Sequence, residues 1–167
     1  GAILKELISS DPEMPLALCI SGYFALLMGN SLSTKKALKI SKKLNRYCSK
    51  SFVNHREKKH VAALSAWAAG HITEAINIWE QILTKYPLDS LALRLVHFAH
   101  FYSGNGVSMR NSTSSILQFW PEEHPDYSFI LGMHAFGLEE TGEYFENKKT
   151  MEVVPNAFKN EKDMIEK

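Results

Sequence analysis

The residues of this chain whose types and spacing could do chemistry together are three histidines and a carboxylate. His97 and His100 stand one helical turn apart in "RLVHFAHFY", and His134 and Glu139 recur in "GMHAFGLEE" further on. If the two stretches are neighbouring helices, the imidazoles could ligate a divalent metal. Glu139 or Glu140 would then pair with a histidine as acid and base, as in a metal-dependent hydrolase. Zinc, however, needs a third or fourth ligand and outer groups that orient the imidazoles. The chain has neither an H-E-x-x-H helix nor paired cysteines. Histidines satisfied by hydrogen bonds inside packed helices are the expectation, and no catalytic residue, metal or cofactor is assigned.

A second feature is cationic. On a helix at about 100° per residue, Lys35, Lys36, Lys39, Lys42, Lys43, Arg46 and Lys50 fall on one side, opposite Ala37, Ile40, Leu44 and Cys48. Such a stripe can dock an acidic peptide, an anionic lipid surface or RNA, and it can equally be the solvated face of a repeat helix. No aromatic residues are interleaved with it, which disfavours nucleic acid. The whole-chain balance of 19 basic against 18 acidic residues supplies no global field.

Other motifs weigh less. "GNG" at 104–106 lacks the strand and the later glycine of a nucleotide cradle, and Asn111-Ser112-Thr113 matches the glycosylation acceptor pattern as short tripeptides often do. Nothing activates Cys48 with His55 as nucleophile and base. Cys19 and Cys48 are too few for a disulfide framework and read as reduced packing thiols of a cytoplasmic protein. The longest apolar run, "LALCISGYFALLMG" at 16–29, is broken by Ser21 and Gly22 and falls short of the ~20 residues a membrane span needs. It also has no basic leader of the signal-peptide kind.

The elements that must position these groups are legible in the glycines. Gly29, Gly70, Gly104 and Gly142 each follow an apolar run and precede turn residues, at separations of 41, 34 and 38. A tetratricopeptide unit repeats at about 34 residues as two antiparallel helices, with small residues at the close crossing and a proline closing the second. "GHITEAINIWEQILTKYP" fits that second helix: Ala75 is the small residue, Trp79 the bulky body between successive units, and Pro87 the stop. Ile72, Ala75, Ile76, Trp79, Ile82 and Leu83 make one apolar stripe, and the partner helix lies at about 55–69 in "HVAALSAWAAG". There Ala62, Ala63 and Ala66 take the small places, while Lys59 stands where the pattern has Trp.

Units are thus expected at about 13–50, 55–87, 88–121 and 127–154, forming one repeat domain over 1–154, with a charged C-terminal tail at 155–167. In the first, Gly22 has the offset of the close-crossing glycine, and "NSLST" reads as a short insertion before a late second helix carrying Ala37. In the third, a helix at 88–102 is followed by "GNGVSMRNSTSS", read as an extended polar loop before a short helix ended by Trp120 and Pro121. The fourth opens at "HPDYSFILGMHAFGLEETGEY" and decays after Tyr144, where the small residue expected near Asn147 is missing.

The blocks "EKKHVAALSAWAAGHITEAINIWEQILTKYPLDSLALRLVHFAHFYSGN" and "HPDYSFILGMHAFGLEETGEY" resemble the tetratricopeptide repeat protein 38 family and its bacterial relatives over roughly 15–144. "GMHAFGLEETGEY" and the "RxxHxAHFYSG"-like helix are the most distinctive parts. Members of that family continue into a stretch of the "WAxHAxAH" type that lies beyond this chain, and "NKKTMEVVPNAF" departs from the expected alanine, as a truncated or spliced form would. The resemblance implies a helical-repeat scaffold without established chemistry.

The sequence therefore predicts an all-α chain of tetratricopeptide-like helical-hairpin repeats forming a right-handed solenoid segment. Its expected role is binding a protein or peptide on an inner surface that includes Lys59, Ala66, His97, His100, His134 and Glu139. An acidic partner would suit the stripe of Lys35, Lys39, Lys42, Lys43 and Arg46. The clustered-histidine hydrolase and self-association through the C-terminal repeat are the alternatives. Phe98, Phe101, Tyr102, Phe119, Trp120, Tyr127, Phe129 and Phe136 are expected mostly between repeats, with a minority exposed as the functional set.

Overall fold

A computed structural model describes residues 2–49 and 52–143. The charged tail at 155–167, the end of the fourth unit at 144–154 and Lys50 lie outside the described residues. Those described are all-helical, with no strand among them: α1 (Ala2–Ser10), α2 (Pro15–Leu27), α3 (Ser31–Cys48), α4 (His55–Ala68), α5 (Ile72–Lys85), α6 (Ser90–Tyr102), α7 (Gly106–Leu117) and α8 (Tyr127–Glu140). None of them is long and apolar enough to cross a membrane. The chain divides into two compact units, Gly1–Ile82 and Leu83–Lys167, and the division falls in the last turn of α5.

The glycines at the turns work as their spacing suggests. Gly29, Gly70, Gly104 and Gly142 have φ of 67°, 90°, 69° and 75°, the left-handed region that other residues enter at a cost. At three of them the residue after glycine closes the helix behind it. His71 N–H donates to the Ala66 carbonyl, Asn105 N–H to that of His100, and Glu143 N–H to that of Leu138, each at 2.9 Å. This is the two-bond helix stop in which the donor just past the glycine reaches back five residues.

In the first unit, α2 and α3 pack on each other and α4 packs on both. Gly22 is where α2 meets α4: a Cβ added there would lie 2.7 Å from a Leu64 methyl. Ser65 on α4 ties to α3 through Ser41 Oγ at 2.8 Å and Asn45 Nδ2 at 3.0 Å. Trp79 on α5 is fully buried and reaches the adjoining hairpin, its indole N–H donating to Tyr23 Oη on α2 at 3.3 Å. Its ring stands edge-on to Tyr23 and Trp67, with centroids at 5.8 and 5.6 Å. Tyr23 Oη donates in turn to the His60 carbonyl at 2.8 Å.

Burial in this unit also governs the thiols. Cys19 is buried on α2, and its thiol is pushed well above the ordinary range by that burial and, less, by Cys48 and Glu57. Cys48, half-buried, is raised as well, burial outweighing the opposing pull of Lys58. Native protein treated with iodoacetamide is expected to label Cys48 slowly and Cys19 only on unfolding, because the thiolate is the nucleophile. Peptide mass spectrometry with and without denaturant checks this; prompt native labelling of Cys19 would contradict it.

In the second unit, α7 packs on both α6 and α8. Two sequence expectations are corrected at the second helices. "GNGVSMRNSTSS" is no extended loop but most of α7, which starts at Gly106 with Asn105 capping it through a bond from Ser108 N–H at 3.0 Å. Its serines and threonine are compatible with a helix because they bond backward to carbonyls: Ser112 Oγ donates to the Ser108 carbonyl at 2.8 Å and Ser114 Oγ to that of Arg110 at 2.9 Å. Met109, Thr113 and Ile116 supply the buried face. "NSLST" likewise delays nothing, since Asn30 caps α3, accepting from Ser33 N–H at 2.9 Å, and the helix runs from Ser31 for 18 residues. The extra length of the first repeat lies mostly in α3, which has 18 residues against 14 in α5, and partly in the longer connection to α4.

Gly137 sets the approach of α8 to α7. An added Cβ would lie 2.8 Å from Arg110 Cα and 3.1 Å from its nitrogen, backbone atoms that cannot swing aside, whereas at Gly132 on the same helix it would meet nothing within 4 Å. Gly137→Ala is therefore expected to cost about 2 kcal/mol by forcing the helices apart. Gly132→Ala is expected to stabilise by up to about 1 kcal/mol, since glycine is the poorer helix former. Urea titration of the two variants reads the difference, and equal effects would refute the close approach.

Candidate functional site

The site that emerges is a groove walled by α6 and α8. On α6, Asp89 caps the helix by accepting from Ala92 N–H at 2.9 Å, and Ala92, Leu93, Leu95 and Val96 are buried. Arg94, Phe98 and Phe101, four and three residues apart, share another face, and on α8 Phe129, Met133 and Phe136 repeat that spacing. The two rows meet. Arg94 Cζ lies 4.9 Å from the Phe129 ring centroid and 5.3 Å from that of Phe98, and the Phe101 and Phe136 centroids are 5.5 Å apart. Between the rows is a cavity of about 410 Å³, lined almost wholly by apolar atoms, with Gly132 leaving its floor free of a side chain. Phe101 and Phe129, 44% and 42% exposed, stand at its edge.

His97 is the polar group of the groove wall. It is 6% exposed, its ring 6.0 Å from that of Phe136, and its Nδ1 has no hydrogen-bond partner. Burial, with smaller contributions from His100 and Arg94, lowers its pKa from 6.5 to about 4. The imidazole is neutral at physiological pH, so Arg94 supplies the charge at this wall.

The sequence-predicted residues scatter around this groove rather than filling it. His97 lines it, while His100 is buried on α6. His134 turns toward α7, its Nδ1 3.3 Å from Thr113 Oγ1 and 3.4 Å from Ser114 Oγ, so the three histidines do not converge. Glu139 is exposed near the end of α8. Among the described residues no group of three His, Cys, Asp or Glu could hold a metal ion. Lys59 and Ala66 belong to the first unit, where Lys59 Nζ donates to Gln81 Oε1 at 2.6 Å and Ala66 is buried.

The cationic stripe is exposed along α3 at Lys35, Lys39, Lys42, Lys43 and Arg46. Lys43 is held by the Pro12 carbonyl, to which its Nζ donates at 2.7 Å. Lys35, Lys36, Lys39 and Lys42, with Leu32 and Leu38, border a shallow depression on this one helix. Sequence reasoning placed the stretches 93–100 and 132–139 on the inner surface without singling out Arg94 or Met133, although the matched spacing on the two helices was there to be read.

No protein-family model matches the chain, and no solved structure matches it.

Proposed function

We propose that this chain is a non-catalytic helical-repeat scaffold of tetratricopeptide type, its hairpins stacked as a right-handed solenoid segment, and that the groove of α6 and α8 holds a peptide or partner domain. The repeat arrangement is supported by the recurrent left-handed glycine stops and by the reach of Trp79 to Tyr23 on the preceding hairpin. The observation that carries the binding role is the groove itself. Two aligned rows of large apolar side chains leave an open slot beside a positive charge, the composition of recognition sites that take an apolar anchor and orient it with a few polar groups.

The test is comparative capture. Phe101→Glu and Phe129→Glu alter half-exposed side chains and should keep the helical content and unfolding midpoint of the wild type. They are expected to lose partners that the wild type retains from a cell lysate. Reversing Lys39, Lys42 and Lys43 to glutamate on α3 should leave those partners bound. Identical partner sets for the wild type and the groove variants would reject the reading.

A further inference from the structure

We infer that the hairpin of α2 and α3 is a peripheral docking surface for an anionic lipid bilayer: apolar side chains at its turn enter the interface while the lysines of α3 lie against the headgroups. The surface belongs wholly to the first unit and does not depend on the groove of the second.

Three observations converge on it. First, charge is segregated along the chain. Residues 14–56 carry eight lysines and arginines and no carboxylate side chain, so all 18 acidic residues lie outside that stretch. Second, the cations of α3 are not neutralised. Lys35, Lys36, Lys39, Lys42 and Arg46 are exposed, and none is paired with a carboxylate among the described residues. Lys43, engaged by the Pro12 carbonyl between Asp11 and Glu13, contributes least. Third, the stripe begins in exposed apolar surface. Leu32 stands three, four and seven residues before Lys35, Lys36 and Lys39, so it heads the same helix face, and it is 78% exposed. Met28, 70% exposed, and the exposed Phe24 and Leu27 precede it across the turn at Gly29.

The third observation selects a bilayer over other anionic partners. A charged stripe alone would suit an acidic peptide or a nucleic acid equally, but either of those leaves the apolar turn in water, whereas a bilayer interface takes up both. Single-stranded nucleic acid also calls for aromatic side chains among the cations, and none stands between Lys35 and Arg46. A peptide calls for walls, and the depression bordered by Leu32, Leu38 and these lysines lies on α3 alone. Lysine is a point charge on a flexible apolar stem and follows fluid headgroups while its stem covers apolar surface; a fixed carboxylate or phosphate is better met by the arginine fork. Of the exposed cations on this face, Arg46 alone is an arginine.

Co-sedimentation of the whole protein with phosphatidylcholine vesicles, with and without phosphatidylserine, tests the inference. Binding is expected only to the vesicles that contain phosphatidylserine, and it should fall as salt is raised. A lysine near an anionic surface is worth roughly fivefold in binding, so Lys36→Gln with Lys39→Gln should weaken it about 30-fold. Lys85→Gln, on an exposed residue of α5, should leave it unchanged. Met28→Ser with Leu32→Ser should weaken it about tenfold or more while preserving its salt dependence, because the apolar contribution is lost and the charges remain. These side chains are exposed, so far-ultraviolet circular dichroism should match the wild type. If the apolar pair nevertheless fails to fold, the lysine pair and the salt dependence decide.

Equal sedimentation with the two kinds of vesicle, none with either, or no loss in the lysine pair overturns the inference. Vesicle binding undiminished by Met28→Ser with Leu32→Ser, together with equally tight binding of soluble polyglutamate, would show a surface that reads charge alone, and the bilayer assignment falls. Binding to an RNA homopolymer without binding to vesicles overturns it as well.

Discussion

Replacing Trp79 with alanine is expected to destabilise the protein by about 4 kcal/mol, the largest effect of any single truncation considered. The indole is fully buried, its ring meets Tyr23 and Trp67 edge-on, and its N–H donates to Tyr23 Oη. Truncation opens a cavity between α5 and α2 and leaves the Tyr23 hydroxyl with one bond fewer. The damage should cross from one hairpin to the next, because Tyr23 belongs to α2 and Trp79 to α5. Hydrogen exchange reads this directly: amides of α2 should lose protection along with those of α5. Trp79→Phe, which keeps much of the volume but loses the hydrogen bond, should cost markedly less. Unchanged protection of α2 in Trp79→Ala would mean that the ring serves its own hairpin alone.

That contact shows what the sequence could reveal. Ala75, Trp79 and Pro87 have types and spacing that only a helix facing another helix explains, and α5 follows them. The turn glycines were readable because a left-handed residue at a helix stop has few substitutes. Second helices of low apolar content were not. In α7 the serines and threonine bond back to their own helix, so the loop-like composition concealed a helix whose cap, Asn105, is a single residue. α1 carries Ile3, Leu4, Leu7 and Ile8 at helical spacing, but it lies before the first glycine-marked unit and none of its residues is buried, so the repeat pattern did not point to it.

The site was less legible than the fold, for a physical reason. Histidine spacing reports which side chains share a helix face, but not which neighbouring element that face meets. His134 meets the hydroxyls of α7 while His97 lies against Phe136, and no count along the chain separates those outcomes. What could have been read is complementarity between two rows. Arg94, Phe98 and Phe101 on one helix and Phe129, Met133 and Phe136 on another carry the same spacing, and helices side by side bring such rows into register. A charge within an otherwise apolar row is the mark of a face that meets something other than core.

Acidification is expected to weaken the fold through His97. In the unfolded chain this histidine takes up a proton as pH falls through 6.5, whereas in the folded protein burial delays protonation to about pH 4. Between those values the unfolded state binds more protons, so stability falls as pH falls, and below about 4 this group adds no further loss. With about 1.4 kcal/mol for each tenfold change in proton affinity, the full loss is on the order of 3 kcal/mol. Carboxylates titrate in the same range, so the contribution must be isolated by difference. His97→Phe keeps a ring against Phe136 and cannot be protonated. Urea unfolding at stepped pH should give curves that diverge from pH 6.5 down to about 4, the wild type losing the additional amount. Parallel curves would show that His97 is not held neutral.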